Sequence, residues 1–239
     1  MTSTSSSKPT PAERNAPLPK AWITGEYYLM FTLLGLSIAS FGPSLPFLAE
    51  HTGSRLGEIS FLFVARQLGF LLGAYLVGRL YDQKRGHRVL ASGVLLMAAT
   101  LALVPSISLL AVLTVVLFCL GFSESFLDVG GNTLLVWLQR ERSGPFMNGL
   151  HLFYGVGAFI APALVAQSVL ISQDIRLAYW AVALIAVPTS LALLRAPSPA
   201  HPGAVDPASV RPPQGWLLGL LVAFFFLFGG AESGFGGWI

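Results

Sequence analysis

Apolar runs govern what this chain can fold into: residues 24–48, 58–81, 89–106, 108–138, 147–171, 177–195 and 215–239 are each almost free of charge. Crossing about 30 Å of hydrocarbon takes roughly 20 helical residues, so each run is long enough, or nearly so, to span a bilayer. The runs are apolar nearly all round, as buried or lipid-facing helices are. Charged residues make up 10% of the 239 residues and hydrophobic ones 54%. A soluble domain carries about 25% charged residues. With lipid as solvent an apolar exterior becomes permissible, and spanning segments must then be helical to satisfy their own backbone. The expected fold class is therefore an all-α membrane protein. A net charge of +3 gives no basis for a nucleic-acid partner, and the single Cys119 can form no internal disulfide.

The loops set the orientation. Lys8, Arg14 and Lys20 precede the first run, and Arg79, Lys84, Arg85 and Arg88 surround the second turn. Arg140 and Arg142 follow the fourth run, and Arg195 and Arg211 follow the sixth. The opposite side has only Arg55 and Arg176. The positive-inside rule then predicts a multi-pass cell-membrane protein with a cytoplasmic N-terminus. Residues 1–22, rich in Ser, Pro and Thr, are expected to be disordered. Residues 23–195 form a six-helix bundle. Pro197, Pro199, Pro202, Pro207, Pro212 and Pro213 make 196–214 a non-helical cytoplasmic linker. Residues 215–239 are the first helix of a second bundle. That apolar run ends at Trp238-Ile239 without a tail, so the chain is expected to be truncated, lacking most of its C-terminal bundle and unable to complete a transport cycle alone.

Residues 78–88 read GRLYDQKRGHR. This stretch resembles the signature loop of the major facilitator superfamily, Gly-x-Leu-x-Asp-(Arg/Lys)-x-Gly-(Arg/Lys)-(Arg/Lys). Gly78, Leu80 and Asp82 match its spacing, Gln83 replaces the usual base, and Gly86 falls one residue late, followed by His87. That variant is similar to the fucose:proton symporter and sodium-dependent glucose transporter branch. The resemblance implies two six-helix bundles that rock about a midplane site, with this chain supplying the N-terminal bundle plus the first helix of the C-terminal one. It also implies a conformational latch built from Gly78, Asp82, Arg85 and Arg88. Gly78 would allow close helix approach, and Asp82 would meet the N-terminus of a helix in the other bundle.

The fourth run carries Glu124, Asp128 and Asn132. Spaced i, i+4, i+8, they drift about 40° per step and form a stripe roughly 12 Å long. A carboxylate facing lipid at this depth costs at least about 2.5 kcal/mol, so the stripe is expected to face a partner or a wet cavity. Such carboxyls can exchange a proton, accept two sugar hydroxyls or coordinate sodium. The Asp128-Val-Gly-Gly-Asn132-Thr element resembles the acid-x-x-x-Asn element in the fourth helix of the same branch, which implies coupling at Asp128 and a place beside the sugar for Asn132. The stretch from Met147 to Gly157 resembles that branch's fifth helix and brings in His151. Glu232, set among small residues in the seventh run, completes the substrate- and ion-binding set: Asp128, Asn132, Glu124, Glu232 and His151. Arg66 needs a carboxylate or a wet path. Glu124 is one candidate partner, although the two differ in depth by roughly 10 Å; snorkelling outward is the alternative.

Gly69-x-x-x-Gly73 and Gly157-x-x-x-Ala161 present small faces for close helix packing. Prolines 43, 46 and 162 are expected to bend their helices. No nucleophile motif or metal-ligand set is present, so neither an enzyme nor a cofactor or metal site is expected. The reading that results is a secondary transporter of a small polar solute, a sugar, coupled to protons or sodium. The alternative is an exporter of the same fold, whose glycine-rich motif in the fifth run Gly155, Gly157 and Pro162 approach only loosely.

Overall fold

A computed structural model describes residues 19–81, 86–203, 214–217, 219–224 and 227. Six long helices make up the bundle: α1 (Lys20–Thr52), α2 (Phe61–Tyr81), α3 (Gly86–Leu103), α4 (Leu110–Gln139), α5 (Ser143–Ser172) and α6 (Arg176–Arg195). A helical turn, Leu56–Ile59, leads into α2. α4 and α5 are joined by a single 3-10 turn, Arg140–Arg142, so Leu110–Ser172 is one of five uninterrupted apolar helical stretches long enough to cross a membrane among the described residues. Residues 215–217 and 219–224 are helical at the start of the seventh run.

The helices start and stop for local reasons. α1 begins at Lys20, so Lys20–Trp22, grouped by the sequence with the disordered N-terminus, belong to the first span. It ends where Gly53 takes φ 63°, with the Ser54 N–H returning to the Ala49 carbonyl at 2.9 Å. A glycine in the left-handed region lets orphan carbonyls be recaptured at a helix end. Helical structure continues through Pro43 and Pro46 in α1, Pro162 in α5 and Pro188 in α6.

Two glycine seams fix the packing. α2 packs chiefly on α4, and α1 on α5. A Cβ on Gly69 would collide with the Phe118 carbonyl oxygen, one on Gly73 with Ser125 and Phe122, and one on Gly121 with the Arg66 carbonyl. On the other seam, Gly35 faces the Tyr154 carbonyl and Gly157 the Thr32 carbonyl. Backbones this close gain dispersion contacts that replace the hydrophobic drive missing in lipid. α3 lies against α4 and α6. The core between the seams holds Tyr27, Phe31, Leu34, Met97, Leu127 and Leu134, all fully buried. Lys20, Arg79, Arg88, Arg140, Arg142 and Arg195 gather at one end of the bundle; Arg55 and Arg176 lie at the other. We call these the Lys20 end and the Thr52 end.

Candidate functional site

α4 presents its two acids to different surroundings. Glu124 is 1% exposed and points into the junction of α1, α2 and α4. Arg66 of α2, 6% exposed, donates Nε–H to Glu124 Oε2 at 2.9 Å and Nη2–H to Oε1. The two bonds form a fork on the carboxylate, which is the geometry that suits a guanidinium best. Ser37 of α1 adds an Oγ–H bond to Oε1 at 2.6 Å. The remaining arginine nitrogen, Nη1, reaches the Ile38 carbonyl at 3.4 Å, and the guanidinium stands 5.5 Å from the Phe41 ring centroid. The carboxylate and the guanidinium are thus paired and hydrogen-bonded together, the condition under which buried charges are tolerable.

The depth difference read from sequence is closed by local geometry. Gly121 lets the α2 backbone at Arg66 touch α4. Glu124 lies one turn further along, and its Cβ leans back toward the α4 N-terminus, hence toward Arg66. Of the stripe expected to face a partner or a wet cavity, Glu124 faces a partner, Arg66, in a closed seam, and the rotation of about 40° per step turns Asp128 and Asn132 out of that seam.

Asp128 and Asn132 are both half-buried. Asn132 Nδ2 donates to the Asp128 backbone carbonyl at 2.8 Å and to its Oδ1 at 3.2 Å. Among the described residues Oδ2 of Asp128 has no hydrogen-bond donor. His151 of α5 is exposed and lies near enough to Asp128 to act on its charge. The imidazole is held edge-on to Phe31 of α1, with ring centroids 5.9 Å apart. Tyr28 of α1 stacks on Phe153 of α5 at 4.8 Å. An acid, an amide and an imidazole therefore lie where α1, α4 and α5 meet, with Phe31 edge-on to the imidazole. Together they can accept and donate hydrogen bonds to a hydroxylated solute, and the carboxyl can exchange a proton or bind a small cation.

The other sequence-singled residues scatter. Gly78 is exposed, and an added Cβ would meet nothing within 4 Å, so no helix of this bundle exploits it. Arg88 is exposed on the first turn of α3. Asp82, Arg85 and Glu232 lie outside the described residues. Trp180 donates Nε1–H to the Ala102 carbonyl at 3.2 Å beside an apolar groove between α3 and α6. That groove, lined by alanines, Leu95, Leu184 and Val187, offers nothing to a polar solute.

Ser37 was missed by sequence reasoning, because one serine in an apolar run carries no signal of its partner. Thr24 and Gln139 were missed too: Gln139 Nε2 donates to Thr24 Oγ1 at 2.8 Å, tying α4 to α1 at the Lys20 end.

Comparison with known proteins adds to this geometry. The family model described as Major Facilitator Superfamily matches residues 27–239. The chain is 39% identical over 129 residues to sodium-dependent glucose transporter 1 of Xenopus laevis, covering 54% of this chain and 26% of that one. It is 34% identical over 137 residues to sodium-dependent glucose transporter 1A of Mus musculus, covering 57% and 32%. Identity to major facilitator superfamily domain-containing protein 4B of Danio rerio is 30% over 152 residues, covering 63% and 28%. The chain thus spans about a quarter to a third of the length of these curated relatives. No solved structure matches it.

Proposed function

We infer that this chain, which belongs to the major facilitator superfamily, forms the first bundle of a secondary active transporter that carries a small polar solute, a sugar, across the cell membrane. The observation that carries this reading is the half-open Asp128–Asn132 pair beside His151, on the face where α1, α4 and α5 meet. An acid held in hydrocarbon with a free oxygen is costly unless it borders a watery path. Two of the relatives bear the name sodium-dependent glucose transporter, which favours a sugar as the solute. Asp128 takes up the coupling proton or sodium, Asn132 holds one carboxylate oxygen and borders the solute, and His151 borders the same site from α5. Glu124 is assigned a holding role, because Arg66 and Ser37 already saturate it. Glu232, from the seventh run, is assigned to the same substrate- and ion-binding set.

The remaining assignments follow the same logic. The cluster of basic residues at the Lys20 end supports a cytoplasmic N-terminus. Gly78, Asp82, Arg85 and Arg88 latch this bundle to the second one in one of the alternating states. Residues 196–214 link the two bundles, and 215–239 begin the second.

Uptake of radiolabelled glucose and fucose into proteoliposomes by the protein as expressed from its gene, with pH and sodium varied, tests the reading. Asp128→Asn is expected to abolish ion-driven accumulation while leaving the protein folded. Accumulation by Asp128→Asn equal to the parent, with the same ion dependence, would remove Asp128 from the coupling step.

A further inference from the structure

His87 follows the displaced glycine at which the signature loop departs from the family pattern, and neither the solute site nor the latch uses it. It is 2% exposed, in the first turn of α3. Its Nδ1 lies 3.0 Å from the Ala196 carbonyl, which can only accept, so Nδ1 carries the proton. Nε2 is then left as an acceptor, and the Tyr27 hydroxyl of α1 donates to it at 2.7 Å. The His87 backbone N–H, one of the orphan donors at the start of α3, donates to Ser198 Oγ at 2.7 Å. One residue therefore ties α1 and α3 to the chain that leaves α6.

Beyond Ser198 the same segment meets α4. The His201 ring stands edge-on to Trp137 at 4.7 Å, and Arg140 Nη2 donates to the Ala200 carbonyl at 3.4 Å. Arg140 itself adopts φ 56° and ψ −126° at the end of α4, a conformation a non-glycine residue keeps only when its surroundings hold it. Gly203, at φ 87°, donates its N–H to His201 Nδ1 at 3.1 Å.

We propose that Ala196–His201 is a strap docked across the Lys20 end of α1, α3 and α4, with His87 as its anchor, so that the start of the linker moves as part of this bundle. The one-residue delay of the loop glycine has a physical reason in this arrangement. Gly86 sits where an added Cβ would press on Leu134 and come within 3.4 Å of Ser198 Oγ, so glycine makes room for the strap and His87 holds it. His87 is a positioning residue: it touches neither solute nor coupling ion.

The test is a nitroxide at Ala200→Cys, in a Cys119→Ser background, in lipid nanodiscs, with a second nitroxide variant at Gly144→Cys as control. Residue 200 is exposed, so the label need not disturb the strap. The parent is expected to give a motionally restrained spectrum at 200. His87→Ala is expected to convert it to a fast-motion spectrum, while the label at 144 stays unchanged. Tyr27→Phe, which removes one hydrogen bond and leaves the packing, should give a partial shift in the same direction. A label at 200 that is already fast in the parent, or that stays restrained in both variants, would overturn the proposal. Equal loosening at 200 and 144 would also overturn it, by making His87 a residue of general stability.

Discussion

Glu124 and Asp128 are one helical turn apart on α4, yet the first is closed on all sides by Arg66 and Ser37 and the second keeps one carboxylate oxygen unengaged among the described residues. The same side-chain chemistry is closed off in one place and left partly open in the other. What separates them is a rotation of about 40° on the helix and the presence of glycines beside the first. Gly69, Gly73 and Gly121 bring α2 into close contact with α4, and Glu124 is left 1% exposed. On the α5 side, His151 is exposed and leaves Asp128 an open flank. A buried polar group in a membrane bundle is therefore informative only once its partners are counted.

The largest effect expected from this contrast is on stability. Glu124→Ala leaves Arg66 buried without a counter-ion and should cost about 3–5 kcal/mol, read as a lowered thermal midpoint in nanodiscs. Removing both charges with Arg66→Met and Glu124→Leu should recover most of that loss, because an apolar pair of similar volume often matches a buried ion pair. A double variant as unstable as the single would show that the site is not a closed pair. Next in size is Gly69→Val, which forces a methyl-bearing carbon onto the Phe118 carbonyl; overpacking of this kind costs about 1–3 kcal/mol by the same melt. Asn132→Ala removes the donor to Asp128 and should cost about 0.5–1.5 kcal/mol, with a larger effect on solute uptake than on the melt. The smallest stability change belongs to His151→Gln, within about 0.5 kcal/mol for an exposed side chain, although uptake should fall.

Much of the architecture is legible in the sequence because lipid imposes it residue by residue. Run length, the absence of charge and the basic loops mark the helices without reference to any neighbour. The extension of α1 back to Lys20 was less visible, since Pro19 and Lys20 resemble the polar tail before them. The small-residue seams can be read from spacing, but not what they touch: nothing local says that Gly69 meets Phe118 or that Gly157 meets Thr32. The candidate site divides in the same way. Asp128 and Asn132 are i, i+4 neighbours, so their bond follows from helix geometry. The Arg66–Glu124 pairing joins residues 58 positions apart, and depth counted from estimated helix ends was too coarse to settle it. His87 stood out in sequence as a departure from a pattern, but its tyrosine and its strap lie 60 and 109 positions away.

The division of α4 into a dry seam and a wet face is tested most directly by thiol accessibility in the membrane. In a Cys119→Ser background, Ser37→Cys places a thiol beside Glu124 and Asn132→Cys places one beside Asp128. Labelling by a charged, membrane-impermeant maleimide should be at least about tenfold faster for Asn132→Cys, since thiol reactivity follows exposure and thiolate character. Equal rates, or faster labelling of Ser37→Cys, would contradict the account, because water would then reach both acids alike.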